Sequence, residues 1–390
     1  MERVENNKGI RLKLCFVSFE YPPRISGGAG TYAESLVKGF EAKGIDVHTI
    51  TMGEMEIHNE ENHGILAPNA SHWQRYYFTK RALSLSRSEK FDLVHFNGLY
   101  PIVRSLKLPT VCTLHCSQFA ILKTSLEVSR KLKTVGNIRD LVLKQPLLCL
   151  FDVLMVRVAD KIICPSPSLA RALSYYFVDN RKIHVIPNGI DLEKIDRTKA
   201  LDDDLSKEYP LAKENFILYM GRLAPVKGIE YLIEAFKSIR KECTNLKLVI
   251  AGSGDYELYL KSLARNTSDI LFVGFIRSPN TKKFLYENSL AVVVPSLHET
   301  FPLVPLEAMA HRKPVIGTDV GDLQLMIKHG KSGFLARRGN SGDLAKFITL
   351  LHHDSDLRRR MGNFGRKKVE EEFTVDRMVS ETLEVYKSLS

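Results

Sequence analysis

The feature that most constrains this chain is a strand-and-helix alternation that runs through its first half, stops at a polar stretch and then starts again. Short apolar runs at 12–19, 47–51, 93–96, 110–114, 161–165 and 184–186 have strand lengths. Between the first two, Ala33, Leu36, Val37 and Phe40 recur at helical spacing. Strands apolar throughout and separated by amphipathic helices predict a parallel sheet covered on both faces. The second half repeats the pattern with a strand at 216–220, a helix at 230–240 and strands at 246–251, 270–273, 290–294 and 314–317. The expected fold class is therefore α/β, with two doubly wound, Rossmann-like domains.

A turn signature, Pro187-Asn-Gly-Ile-Asp191, separates the halves, and the residues after it are polar up to Asn215. The expected organisation is an N-terminal domain over 1–190, a linker over 191–214, a C-terminal domain over 215–372 and a terminal segment over 373–390. In that last segment Val375, Met378, Val379, Leu383, Val385 and Tyr386 approximate a helical stripe. The run Asp202, Asp203, Asp204 follows no apolar strand and is expected to be a solvated linker charge. At 390 residues and 44% hydrophobic content the chain can bury two cores.

Composition removes several functions. The formal net charge of +11 implies affinity for anions. Nucleic acid is not the expected partner, because Lys and Arg are dispersed and no nucleic-acid-binding signature is present. Residues 1–11 hold no apolar h-region, and the longest apolar run, 146–158, is interrupted by Asp152 and Arg157. A soluble, cytoplasmic protein is the expectation. Six scattered cysteines give no disulfide framework, and Cys112, His115 and Cys116 lack a second pair at zinc-site spacing, so no metal is expected.

The chemistry-bearing residues cluster where strands end. After the strand at 290–294 come Glu299 and then, in a helix beginning near Leu303, Glu307. Pro302 fits the first helical position, where a missing N–H costs nothing. The free amides of Leu303 and Val304 and the helix dipole offer an anion seat. Arg222 and Lys227 flank a loop directly after the strand at 216–220 and can aim two positive charges at phosphate oxygens. Ser253 and Ile276 follow the strands at 246–251 and 270–273. In the first half, Gly27 and Gly28 end a loop from Glu20 and let backbone approach a ligand closely. The same stretch fits G-x-G-x-x-A, but roughly eight residues separate it from its strand, which argues against a dinucleotide fingerprint. His115 ends the strand at 110–114, and His95 lies beside it on the strand at 93–96.

The spacing of Glu299 and Glu307 resembles the E-x(7)-E motif of the family 4 glycosyltransferases, retaining enzymes of the GT-B fold, and the likeness covers nearly the whole chain. One departure is Pro302, where the family often has Gly. The resemblance implies that Glu307 binds a nucleotide ribose, that Glu299 and His115 contact the donor sugar, and that Arg222 and Lys227 hold the diphosphate without metal. It places the base near Ser253 and Ile276, and the Gly27-Gly28 loop near the diphosphate and acceptor. His115 would donate a hydrogen bond to a sugar hydroxyl. It also implies that the last helix returns to the N-terminal domain and that the cleft between domains contains the active site. No cofactor is implied beyond the nucleotide-diphosphate sugar, UDP- or GDP-linked, as substrate.

The segment 119–145 is basic and amphipathic, and it fits either contact with an anionic membrane and a lipid-linked or glycan acceptor, or a core-facing helix with a solvated basic face. A GT-B-like sugar-nucleotide epimerase and a catalytically silent nucleotide-sugar-binding subunit are the competing readings.

Overall fold

The computed structural model describes residues 12–22, 27–53, 62–66, 82, 84, 90–98, 108–119, 145–176, 178–200, 211 and 215–389. The described residues form two compact units: one runs to Gly189 and resumes at Val375, and the other spans Ile190–Thr374.

The first unit is built on β1 (Lys13–Ser18), β2 (Asp46–Gly53), β3 (Asn62–Leu66), β4 (Leu93–Asn97), β5 (Thr110–Thr113), β6 (Lys161–Cys164) and β7 (Ile183–Val185). All pairings are parallel, in the order β3-β2-β1-β4-β5-β6-β7. The period-2 geometry of a strand explains why β1 is apolar throughout. Leu14 and Phe16 enter one core with the Gly28–Ala42 helix, while Cys15 and Val17 enter the core on the opposite face. The Gly28–Ala42 helix buries Ala33, Leu36, Val37 and Phe40, the stripe read from its spacing, together with Tyr32.

The terminal helix, Val375–Lys387, packs on that same helix through Met378, Val379, Val385 and Tyr386. A Cβ at Gly39 would lie 2.4 Å from Val379 Cγ2, so the glycine is what lets the two helices approach.

The second unit repeats the plan with β8 (Phe216–Met220), β9 (Lys247–Ala251), β10 (Ile270–Gly274), β11 (Ala291–Val294), β12 (Val315–Thr318) and β13 (Gly333–Ala336). The order is β10-β9-β8-β11-β12-β13, again parallel. In both sheets the order reverses direction beside the first strand, between β1 and β4 and between β8 and β11. Loops at such a switch point part at the carboxyl ends of the strands and leave a ligand crevice. Two edge strands, β3 and β13, have no counterpart in the sequence reading. β13 is Gly-Phe-Leu-Ala, without β-branched residues, and it is held by register with β12.

The stretch expected as a linker begins with a short helix, Leu192–Arg197, whose N-cap Asp191 accepts from Lys194 N at 2.8 Å. Asp196 takes a two-pronged grip from Arg366, at 2.9 and 2.8 Å, which ties this stretch to the second unit. Ile190 N donates to Phe373 O at 2.8 Å, so the chain enters and leaves that unit side by side. The acidic run 202–204 lies outside the described residues, as does 120–144 of the basic segment. Among the described residues, no helix is long and apolar enough to cross a membrane.

Candidate functional site

In the second unit, the loops after β8, β9, β10 and β11 are laced together by backbone hydrogen bonds. Leu223 N donates to Ser253 O at 2.8 Å, Gly252 N to Gly274 O at 2.7 Å, and Leu297 N to Val226 O at 2.8 Å. Glycines permit this closeness. A Cβ at Gly252, where φ is +148°, would lie 1.9 Å from Gly221 O, and one at Gly228, with φ +61°, would lie 2.3 Å from Pro295 O. The second contact docks the 3-10 turn Pro225–Lys227 against the loop that carries Glu299.

The result is a pairing that joins the two charged motifs: Lys227 Nζ donates to Glu299 Oε1 at 2.6 Å. Ser296 Oγ donates to the same oxygen at 2.6 Å. Thr318 Oγ1 holds the loop by donating to Ser296 O at 2.5 Å, and Gly321 packs beneath the Glu299 carbonyl. Glu299 is 9% exposed and Lys227 24%, so the ammonium keeps an open side while the carboxylate is enclosed. Arg222 lies exposed at the end of β8, its carbonyl accepting from Tyr219 OH at 2.9 Å. Among the described residues its guanidinium has no carboxylate partner.

The helix Leu303–Ala310 corrects one expectation. Pro302 is the N-cap, in extended geometry at φ −71° and ψ 142°, and not the first helical residue. The helix itself begins at Leu303, as read from the sequence, and the extended ψ of Pro302 keeps that residue out of the first turn. Pro305 sits in the first turn, so Leu303 and Val304 are the two amides this helix start can offer.

Glu307, four residues further, is largely enclosed, with its side chain 13% exposed. Lys282 Nζ donates to Oε1 at 2.5 Å and Tyr286 OH to Oε2 at 2.7 Å. Burial works against its charged form, yet the Lys282 charge and the two hydrogen bonds bring the carboxyl below the usual glutamate range. Tyr286, pushed well up by burial and then by the Glu307 charge, stays a donor. Its ring stacks on His311 at 4.9 Å. Lys282 and Tyr286, absent from the sequence reading, stand four apart on the Pro279–Asn288 helix and so share one face. That spacing was the available signal. Ser253 follows β9, exposed, and Ile276 follows β10, half-buried.

In the first unit the helix begins at Gly28 with Gly27 as its N-cap, while 23–26 of the glycine loop lie outside the described residues. His115 stands two residues past β5, its ring edge against Tyr32 at 4.7 Å. Its Nε2 is 2.7 Å from Asn97 Oδ1, and burial draws its pKa down to about 4. His95, fully buried, bonds through Nε2 to Thr113 Oγ1 at 2.7 Å and through Nδ1 to the Tyr386 hydroxyl of the terminal helix. Burial, with His115 nearby, lowers it to about 3. Among the described residues no group of three or more His, Cys, Asp or Glu gathers as a metal would require.

Two family models match the chain, "Glycosyltransferase Family 4" over residues 26–194 and "Glycosyl transferases group 1" over 202–368. An uncharacterized glycosyltransferase of Methanocaldococcus jannaschii is 30% identical over 96% of this chain and 98% of its own length. Among solved structures, sucrose-phosphate synthase of Thermosynechococcus elongatus superposes with a TM-score of 0.79 at 21% identity, over 97% of this chain and 99% of that one. Anabaena HepE, solved in complex with UDP-glucose, gives 0.72 at 19%, over 97% and 100%. These likenesses show the GT-B fold.

Proposed function

The chain belongs to the glycosyltransferases of family 4 and group 1, and on that premise we propose that it transfers a hexose from a UDP- or GDP-linked donor to a glycan or lipid-linked acceptor, with retention and without metal. The observation that carries the reading is the Lys227–Glu299 pair, which joins the loop after β8, where Arg222 stands, to the loop after β11, from which the helix bearing Glu307 starts. A nucleoside diphosphate needs positive charge at its phosphates and a carboxylate at its ribose. HepE, solved in complex with UDP-glucose, shares this fold.

Arg222 grips the diphosphate through its fork, and Lys227 adds a point charge while still held by Glu299. The two helix amides receive the outer phosphate. Glu307, fixed by Lys282 and Tyr286, has lone pairs left on each oxygen and accepts from the ribose hydroxyls. Glu299 accepts from hydroxyls of the sugar, and the base lies against Ser253 and Ile276. In the first unit, His115 is assigned to a sugar hydroxyl, and the Gly27-Gly28 helix start to a close-approaching phosphate or sugar. As the glycosidic bond breaks, charge grows on the leaving phosphate, and preorganised positive groups lower that barrier most. The leaving phosphate oxygen then takes the proton of the incoming hydroxyl. The basic composition and the apolar-basic alternation at 119–145 support an acceptor met at an anionic surface.

The test is nucleoside diphosphate release from UDP-, GDP- and ADP-sugars, with and without membrane lipid extract and with a chelator present. Release from one donor, stimulated by acceptor, insensitive to the chelator and lost in Glu307→Ala, is the expected result. A product with inverted anomeric configuration would sink the retaining assignment, and release abolished by the chelator would sink the metal-free one.

A further inference from the structure

We propose that Asn97 is a positioning residue that fixes His115 as the Nε2-protonated tautomer, which leaves Nδ1 as an acceptor for a hydroxyl of the transferred sugar. The inference rests on the transferase reading for the identity of the ligand, but its structural half stands alone. It reverses the direction expected from sequence, in which His115 donates.

The argument is a chain of hydrogen-bond directions. Asn97 is buried at the end of β4, with Nδ2 2.9 Å from Ser18 Oγ and 3.2 Å from Ala29 O. A backbone carbonyl only accepts, so the atom facing Ala29 must be the amide nitrogen. Ser18 agrees, since its own proton goes to Glu20 O at 2.6 Å, which leaves its oxygen to accept from Asn97. The other end of the amide, Oδ1, is then an acceptor, and at 2.7 Å from His115 Nε2 it requires an N–H there. A neutral imidazole with its proton on Nε2 carries a lone pair on Nδ1. Burial keeps the ring neutral, with a pKa of about 4. Among the described residues Nδ1 has no partner, and His115 retains partial exposure, so the lone pair is available to a ligand. A lone pair in a neutral ring attracts an O–H and repels a phosphate oxygen. The position therefore selects for a hydroxylated ligand group.

The experiment is nitrogen-detected NMR on protein labelled in its histidine rings, with the His115 signals assigned by their loss in His115→Gln. Between about pH 6 and 8, the pattern of a proton on Nε2 and a bare Nδ1 is expected. A proton on Nδ1, or signals averaged over both tautomers, would overturn the proposal without reference to activity. In Asn97→Ala the signals should average, and kcat/KM for the natural donor should fall by about tenfold or more, the worth of one oriented hydrogen bond. Binding of free nucleoside diphosphate should not change. Donors lacking one sugar hydroxyl complete the test. For one of them the wild type and Asn97→Ala should transfer at nearly equal rates, because the contact they differ in is gone. An undiminished tenfold gap with every deoxy donor would overturn the hydroxyl assignment. A wild-type protein with the expected tautomer but no transfer from any donor would overturn the ligand and spare the tautomer.

Discussion

The two units share a wound sheet and carry their candidate site residues in the loops and helices around the strand ends, yet they are wired with opposite chemistry. In the second unit the bonds are between charges: Lys227 with Glu299, and Lys282 with Glu307. In the first unit they are between neutral groups: His115 with Asn97, Asn97 with Ser18, and His95 with Thr113 and Tyr386. The difference follows from what each half is proposed to meet. A diphosphate is matched by positive charge, which is left exposed at Arg222 and is paired with Glu299 at the half-buried Lys227, whereas the hydroxyl proposed for His115 is matched by oriented dipoles that cost less desolvation. One fold thus supplies an electrostatic half and a stereochemical half.

The largest effect expected to sharpen this contrast is on the charged side. Arg222→Ala should lower kcat/KM by about 10²–10³-fold, the usual loss when one group that stabilises developing charge is removed. Because the guanidinium is exposed and has no carboxylate partner among the described residues, thermal stability should stay within about 0.5 kcal/mol of wild type. Lys227→Ala differs, since it also strands Glu299, so rate and melting temperature should fall together. Steady-state kinetics beside thermal denaturation would separate the two, and a normal rate in Arg222→Ala would break the electrostatic half of the comparison.

Glu307→Gln comes next. It retains volume and an acceptor but removes the charge opposite Lys282. Lys282 is 37% exposed and can be hydrated once the opposite charge is gone, so the loss falls below the range of a fully buried pair, at about 1–2 kcal/mol. Donor KM should rise more than kcat falls, because the ribose contact is made equally in ground and transition states. Lys282→Met should reproduce the stability loss with a smaller rise in KM. Equal KM values in the two variants would mean that Glu307 is structural only.

How far these residues could be read in sequence depended on whether their partners were local. The alternation marks every strand of both sheets except the edges β3 and β13, because a strand buried on both faces is largely apolar, and Glu299, Glu307, Arg222 and Lys227 stand in recognisable motifs. Partners contributed by another element could not be read. Lys227 meets Glu299 across 72 positions, and Lys282 meets Glu307 across 25. Asn97 was visible in Val94-His-Phe-Asn97-Gly, but its role depends on Ala29 O, a backbone atom with no sequence signature. Pro302 stands at the cap and not at the first helical position, a distinction carried by its backbone angle and not by its residue type. The edge strand β13 lacks β-branched residues and is defined by its neighbour's register.

Acid should distinguish the units. His115 and His95 have folded pKa values of about 4 and about 3, below the ordinary histidine value of 6.5. Between those limits the unfolded chain binds more protons than the folded one, so stability rises with pH and is lost as pH falls below about 6.5. The slope is about 1.4 kcal/mol per pH unit for each histidine. Glu307 has a lowered pKa, so its contribution is intact above the ordinary glutamate range and is lost only as pH falls through its folded value. His311, also lowered by burial, adds to the second unit's sensitivity, though the Glu307 carbonyl and carboxylate beside it oppose that shift. Hydrogen exchange between pH 7 and about 5 should therefore show β4 and β5 losing protection before β11 and β12. The reverse order would break the comparison.

The smallest change tests whether the neutral network matters beyond the site. Tyr386→Phe removes a hydroxyl in the terminal helix and leaves His95 Nδ1 buried without its partner. An unpaired buried polar atom costs about 1–3 kcal/mol, and the ring still packs on Phe40, so the upper end is not expected. His95 reaches Thr113, Thr113 is 3.2 Å from Tyr32 OH, and the Tyr32 ring touches His115. If that chain of contacts holds the His115 ring in place, Tyr386→Phe should lower kcat by two- to fivefold at unchanged nucleoside diphosphate affinity, a shift of about 0.4–1 kcal/mol. A stability loss with kcat intact would confine Tyr386 to packing and would show that the orientation of His115 is set by Asn97 alone.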